Sequence, residues 1–247
     1  MHARQNFETI DSTNEYLKRN SALLPDGFVV SADEQTFGKG RLARRWESRR
    51  GEGAWFSILL KDRQLNGENA AGLVFVCALA GTRALRQLTK NADILVKWPN
   101  DLVLNGKKIA GILCESGFAG DRLAYCICGI GINLNATAFP QELPWASSIR
   151  IETGLTLDAE DVIKAFLIEF DMHAETLLRS GLKPILEALK PVSATLGRRV
   201  CAVGGAADLT GTAVDFGADG TLIVDDGHCR HNISVGDVSI RGVMGYT

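Results

Sequence analysis

Between residues 93 and 134 the chain carries three apolar, β-branched segments, DILVKWP, KKIAGILCE and RLAYCICGIGINL, in close succession. Parallel neighbours need a crossover of about a dozen residues or more, so segments this closely spaced pair antiparallel. Asn105-Gly106-Lys107 and Ala119-Gly120-Asp121 supply turn chemistry at the junctions. An all-helical fold and an all-parallel sheet are excluded. FETI, FVVSADEQ and AWFSILLK add strand-like pieces upstream. Residues 70–88 have helical length with small and apolar residues on most faces, which predicts a well-buried helix. Residues 157–178, with Asp158 as cap, and residues 184–189 read as further helices. Ser12 followed by Glu15 gives capping-box spacing for a short helix through Tyr16 and Leu17. The expected fold is α+β, a mixed sheet with segregated helices.

After Pro191 the texture changes. RRVCAVG, LTGTAVDFG, GTLIVDDG and HCRHNISVGDVSI are short strand-like pieces split by Gly and Asp turns, the pattern of a small β-barrel or sandwich. A boundary near Thr195 therefore divides the chain into residues 1–195 and a small C-terminal β domain, 196–247.

The formal net charge is −2 over 247 residues, so the molecule as a whole exerts no long-range attraction on nucleic acid or anionic membrane. Any anion site must be local. The first residues lack the apolar core of a signal peptide, and no segment approaches about 20 uninterrupted apolar residues, which predicts a soluble cytoplasmic protein. The cysteines at 77, 114, 126, 128, 201 and 229 sit mostly in apolar runs and read as free thiols. A metal site combining Cys126 and Cys128 with His228, Cys229 and His231 lacks the C-x-x-C pair that closes a tetrahedral zinc centre. The HCRH run reads more simply as a solvated hairpin, and His173 as a polar position on a helix.

The strongest local charge lies in GKGRLARRWESRR, residues 38–50, where Lys39, Arg41, Arg44, Arg45, Arg49 and Arg50 face the single acid Glu47. Gly38 and Gly40 allow the backbone to approach a ligand, and guanidinium forks match carboxylate and phosphate oxygens. Such a loop repels itself when empty and is expected to order around an anion. A solvated surface loop, or one touching nucleic acid phosphates, fits the same residues. In KWPND, residues 97–101, Lys97 and Asp101 bracket a Trp-Pro that stiffens the strand end. Lys108 then enters a strand with Gly111 where a side chain would crowd a neighbour or ligand. A plain surface pair and a bulge remain the alternative.

Taken in order, DSTN at 11–14, EQT-x-G-x-G-R at 34–41, KWPND, K-x-AGIL at 108–113 and GIGIN at 129–133 resemble the biotin protein ligase family. The resemblance runs from about residue 8 to residue 135, and GDVSIR at 236–241 fits the family's C-terminal β domain. It implies a catalytic domain related to class II aminoacyl-tRNA synthetases, in a short form without an N-terminal DNA-binding domain, using ATP, Mg²⁺ and biotin. By the same resemblance, Ser12, Thr13 and Gln35 hydrogen-bond the biotin ureido group, and Gly38, Lys39 and Arg41 close over biotin and the adenylate. Trp46 stacks on adenine, Lys108 contacts the biotin carboxylate or α-phosphate, Gly111 lines the biotin pocket and Asn133 lies near the nucleotide. Arg41, Lys108, Asp101 and Lys97 form the implied catalytic set, with Arg241 a weaker match. Where the family reads G-R-G-R-R-G-R this chain has GKGRLAR, so Lys39, Leu42 and Ala43 depart from it. The partner implied is the biotin carboxyl carrier protein of acetyl-CoA carboxylase or a related carboxylase, with no nucleic acid or membrane, and a sheet edge suited to a homodimer. A lipoate or octanoate ligase, a repressor and a non-catalytic metabolite-binding protein are the rivals. The chemistry expected is formation of a mixed anhydride between biotin and AMP, followed by attack of an acceptor lysine.

Overall fold

The computed structural model describes all residues except 1, 43, 62–64, 205–207, 236–238 and 243–245, and the side chains of Glu68 and Ser239. The Ala43 departure and the first three residues of GDVSIR fall outside the described residues.

Seven strands form the main sheet in the order β1-β2-β3-β7-β6-β5-β4. They are β1 (Arg4–Ile10), β2 (Val29–Gln35), β3 (Gly53–Leu60), β4 (Leu95–Lys97), β5 (Asp101–Leu104), β6 (Lys107–Ala119) and β7 (Arg122–Asn133). Only β1 and β2 run parallel, joined through helix α1 (Thr13–Asn20). The hairpins fall where the turn residues predict them. Asn105 and Gly106 both have positive φ, at 51° and 74°, as a two-residue turn matching strand twist requires. One strand was not legible: DLVL after Pro99 is β5, so DILVKWP and KKIAGILCE are separated by a strand rather than adjacent.

The two faces of this sheet differ because β7 alternates so strictly. In CICGIGIN, Cys126, Cys128, Ile130 and Ile132 point into the core, while Gly129, Gly131 and Asn133 face the other way. The core face packs against α2 (Gly67–Leu88) and α4 (Ala159–Ser180) through Phe56, Ile58, Phe75, Phe166 and Phe170, all at most 1% exposed. α2 is apolar and long enough to cross a membrane by length and composition, yet 72% of that stretch is buried inside the molecule. Asp158 caps α4 as expected, accepting from the N–H groups of Glu160 and Asp161. Leu17 of α1 covers one end of the opposite face with Val30, Leu59 and Ile127, and leaves the other end open.

The short helices α3 (Ile149–Thr153) and α5 (Lys183–Leu189) lead to the second sheet. Its five strands are β8 (Arg199–Val203), β9 (Leu209–Phe216), β10 (Leu222–Asp225), β11 (Arg230–Ile233) and β12 (Ser239–Gly242), in the order β11-β10-β9-β8-β12 and antiparallel throughout. HCRHNISVGDVSI thus contributes two strands. Val200, Ala202, Ala213, Leu222, Val224 and Ile240 join the same buried cluster as the first sheet, so the core is continuous across both.

Candidate active site

Cross-strand register puts the site on a single row of the sheet. Trp55 pairs with Gly131, Gly131 with Gly111, Gly111 with Asp101, and Asp101 with Lys97. Residues in one such row share a face, and here it is the face opposite the core. Two glycines at its centre make a floor without side chains. A Cβ on Gly111 would lie 2.8 Å from the Trp46 ring, and one on Gly131 2.5 Å from Trp46 Nε1. The crowding that sequence predicts at Gly111 is therefore caused by Trp46, whose buried indole Nε1 has no hydrogen-bond partner among the described residues.

Lys108 reaches this row through a β-bulge. The pairing of β5 with β6 shifts between Leu102↔Ala110 and Val103↔Lys108, adding Ile109 to β6. Without it Lys108 and Gly111, three residues apart, would face opposite sides of the sheet. With it, Lys108 Nζ lies 2.6 Å from Asp101 Oδ1 and 5.2 Å from the Trp46 ring centroid. Asp101 is thus paired chiefly with Lys108, not with Lys97 as the bracketing in KWPND suggests. Burial pushes the Asp101 carboxyl up, but the charges of Lys108 and Lys97 and the hydrogen bonds from Lys108 and Tyr246 outweigh it, and the group lies below its ordinary value. Lys97, 6% exposed, donates to Ile240 O at 2.7 Å. Burial, opposed by Asp101 and reinforced by Lys108, Arg241 and Arg41, lowers its pKa to about 8.

At the α1 end lies a buried polar cluster. Gln35 Oε1 accepts from Thr13 N at 2.9 Å and from Thr13 Oγ1 at 3.1 Å, while Gln35 Nε2 donates to Ser48 Oγ at 2.8 Å. Thr13 Oγ1 also meets Ser57 Oγ at 2.6 Å, and Ser57 donates to Asn14 Oδ1 at 2.6 Å. Ser12 caps α1, but only half a capping box forms. Its Oγ accepts from Glu15 N, whereas the Glu15 carboxylate turns to Lys39 Nζ at 2.6 Å. That hydrogen bond lowers the Glu15 pKa and raises that of Lys39.

The basic loop packs against the rest of the site through its own ion pairs and hydrogen bonds. Acids from elsewhere compensate it: Glu15 for Lys39, and Asp33 and Glu8 for Arg50. Arg41 crosses the site to donate to Asn100 Oδ1 at 2.9 Å and to Val235 O. Gly38 is buried beneath the Trp46 carbonyl, where no Cβ fits.

Together these groups enclose a cavity of about 680 Å³ lined by Ser12, Thr13, Gln35, Lys39, Arg41, Trp46, Lys97, Asp101, Lys108, Gly111, Asn133 and Arg241. Only Gly38 of the expected set lies outside the lining. Asn133 is held by its donation to Ser147 O at 2.9 Å. Sequence reasoning missed Asn14, Asn100, Trp145 and Tyr246, which also line the cavity. Asn14 and Asn100 sit inside quoted motifs and were within reach. Trp145 and Tyr246 lie outside them and are joined only by the fold, with ring centroids 6.5 Å apart and planes 24° from parallel.

Residues 6–133 match the model of the biotin/lipoate A/B protein ligase family. The biotin–[acetyl-CoA-carboxylase] ligase of Paracoccus denitrificans is 34% identical over 94% of this chain and 98% of its own length. The bifunctional ligase/repressor BirA of Bacillus subtilis is 30% identical over 95% of this chain and 72% of its length. A solved biotin protein ligase from Aquifex aeolicus, in complex with biotin and ATP, superposes with a TM-score of 0.86 at 28% identity, covering 98% of this chain and 100% of that one. With the glycine-floored row, the basic loop and the α1 cluster in one cavity, these likenesses identify the chain as a member of the biotin/lipoate A/B protein ligase family.

Proposed function

We propose that this protein activates biotin with ATP as biotinoyl-5'-AMP and transfers the biotinoyl group to a lysine of a biotin carboxyl carrier protein. The observation that carries the reading is a glycine floor with a Lys108–Asp101 pair at one end and a buried hydroxyl and amide cluster at the other. An acyl chain needs a flat apolar channel, its carboxylate needs a cation, and a ureido ring needs donors and an acceptor facing it.

A free carboxylate is a poor electrophile. In the first half-reaction its oxygen attacks the α-phosphorus, the bond to the bridging oxygen breaks, and pyrophosphate leaves with the electron pair. Two anions must meet, so Arg41, Lys39 and Lys108 offset their repulsion and stabilise the charge on the α-phosphate. Glu52 and Glu142 on the cavity wall offer hard oxygen donors that would hold Mg²⁺, which would supply further neutralisation of negative charge. Trp46 and Trp145 are flat partners available to the adenine, and Asn133 to the nucleotide. Ser12, Thr13 and Gln35, with Asn14, serve the ureido group. In the second half-reaction the lysine nitrogen attacks the acyl carbon, AMP leaves, and the amine loses a proton. Asp101, held ionised by its lysines, acts as the acceptor that orients the incoming amine.

The polar cluster favours biotin over lipoate, because its hydroxyls and amides can exchange their mutual hydrogen bonds for ones to a ureido ring, whereas a dithiolane offers none. Residues 1–195 serve as the catalytic unit and 196–247 as the unit that braces it. The carrier of acetyl-CoA carboxylase or a related carboxylase is the acceptor, the compartment is the cytoplasm, and the unpaired edge of β1 supports pairing of two copies. The test is pyrophosphate release with biotin and ATP, followed by acylation of an added carrier domain. Release with lipoate at the same kcat/KM, or none with either, would overturn the reading.

A further inference from the structure

The second sheet carries a cluster of soft and hard donors remote from the cavity. In DDGHCRH, residues 225–231, Asp225 pairs with Arg230 and closes the β10–β11 hairpin. Asp226 is fixed at the start of the turn. Its Oδ1 accepts from His228 N at 2.8 Å and Cys229 N at 2.9 Å, which aims Oδ2 across the turn. Cys229 and His231, two residues apart, project from the same face. The result is a triangle of three potential ligand atoms. His231 Nε2 lies 2.7 Å from Asp226 Oδ2 and 3.1 Å from Cys229 Sγ, and Cys229 Sγ lies 3.7 Å from Asp226 Oδ2.

Hydrogen bonds leave one edge of this triangle unused: with Nε2–H and the thiol both donating to Asp226 Oδ2, the 3.1 Å contact between Nε2 and Sγ carries none. A single imidazole nitrogen either donates or accepts, so Nε2 cannot donate to the carboxylate and accept from the thiol at once. One cation satisfies all three atoms together. Around tetrahedral zinc, ligands at about 2.0–2.3 Å stand roughly 3.3–3.6 Å from one another, within a few tenths of an ångström of two of the three edges. The third edge, between Nε2 and Oδ2, needs to open by roughly half an ångström, which a small swing of the half-buried His231 ring supplies while Asp226 stays fixed.

We propose that Asp226, Cys229 and His231 bind a zinc-class divalent cation, with water in the fourth position. A thiolate and a carboxylate balance its two positive charges, and the thiol proton passes to solvent. Thiolate and imidazole select zinc over Mg²⁺, so the site does not compete for the ion that accompanies ATP. None of the three residues lines the ligase cavity. The bound ion cross-links the turn to the edge strand β11.

Cobalt(II) titration of the chelator-treated, reduced full-length protein in excess Mg²⁺ tests this. The expected result is one equivalent bound, with a thiolate-to-cobalt band in the near ultraviolet that zinc abolishes. Cys229→Ser removes the band and His231→Gln weakens binding by at least about tenfold, while pyrophosphate release by either variant is unchanged. A band that survives in Cys229→Ser, or binding of equal strength in His231→Gln, overturns the proposal, since cobalt would then sit on other thiols. Absence of stoichiometric binding to the wild-type chain overturns it as well.

Discussion

Asp101 and Lys97 show how one row of a sheet sets chemistry residue by residue. Asp101 is ionised because Lys108 and Lys97 outweigh its burial, which makes it a weak base and a strong hydrogen-bond acceptor. Asp101→Asn keeps the shape and removes the charge. Single-turnover transfer from preformed adenylate to a carrier lysine should fall about 100-fold, and an unchanged rate would remove Asp101 from this step. Lys97 gives a pH signature. Its folded pKa is about 8, below that of a free lysine, so the native state releases its proton first as pH rises. Its charge is present below pH 8 and lost above it, and kcat/KM for biotin activation should show a descending limb there. The same depression makes its contribution to stability unfavourable at low pH and relieved between about pH 8 and the unfolded value. Lys97→Arg, charged throughout, should flatten the limb in a pH profile of pyrophosphate release.

At the scale of elements, the basic loop is braced from several sides, and we infer that it acts as a lid. Arg41 ties it to the Trp98–Asn100 turn through Asn100 and to the second sheet through Val235. A mixed anhydride survives only while water is kept away, so the lid's task is retention as much as catalysis. Arg41→Gly should release reactive adenylate, seen as biotin label on bystander proteins, and labelling that stays confined to the carrier would count against the lid. Much of this was legible in the sequence. Periodicity fixed α2 and α4, the glycine turns fixed the hairpins, and alternation in CICGIGIN separated the core face from the site. What local pattern could not carry was register. The bulge at Ile109 that turns Lys108 toward Asp101 depends on pairing across two strands, and DLVL was too short to stand out from KWPND. The ion pairs that compensate the basic loop were hidden for a similar reason, because Glu15, Glu8 and Asp33 arrive from other elements.

Over the whole molecule, the second sheet and Tyr246 hold the turn at residues 97–101 through hydrogen bonds. Trp98 Nε1 donates to Gly220 O at 3.0 Å, Lys97 to Ile240 O, and Tyr246 Oη to Asp101 Oδ2. The Tyr246 ring lies 4.1 Å from Lys97 Nζ and stacks on Trp145. Burial, with the Asp101 charge beside it, pushes the Tyr246 phenol far up, so it stays protonated and keeps donating. The Asp101 oxygen proposed to meet the incoming amine is therefore already engaged, and the tyrosine hydroxyl competes with the amine for it. Tyr246→Phe keeps the ring against Lys97 and Trp145 and deletes only that hydrogen bond. A hydrogen bond to a charged group is worth about 1.5–3 kcal/mol, so transfer from preformed adenylate should accelerate by about 10-fold or more, with biotin activation unchanged. Rapid-quench measurement of both half-reactions distinguishes the outcomes. Slower transfer would mean that Tyr246 aligns Asp101 for the amine, and slower activation would mean that the tail helps hold the nucleotide.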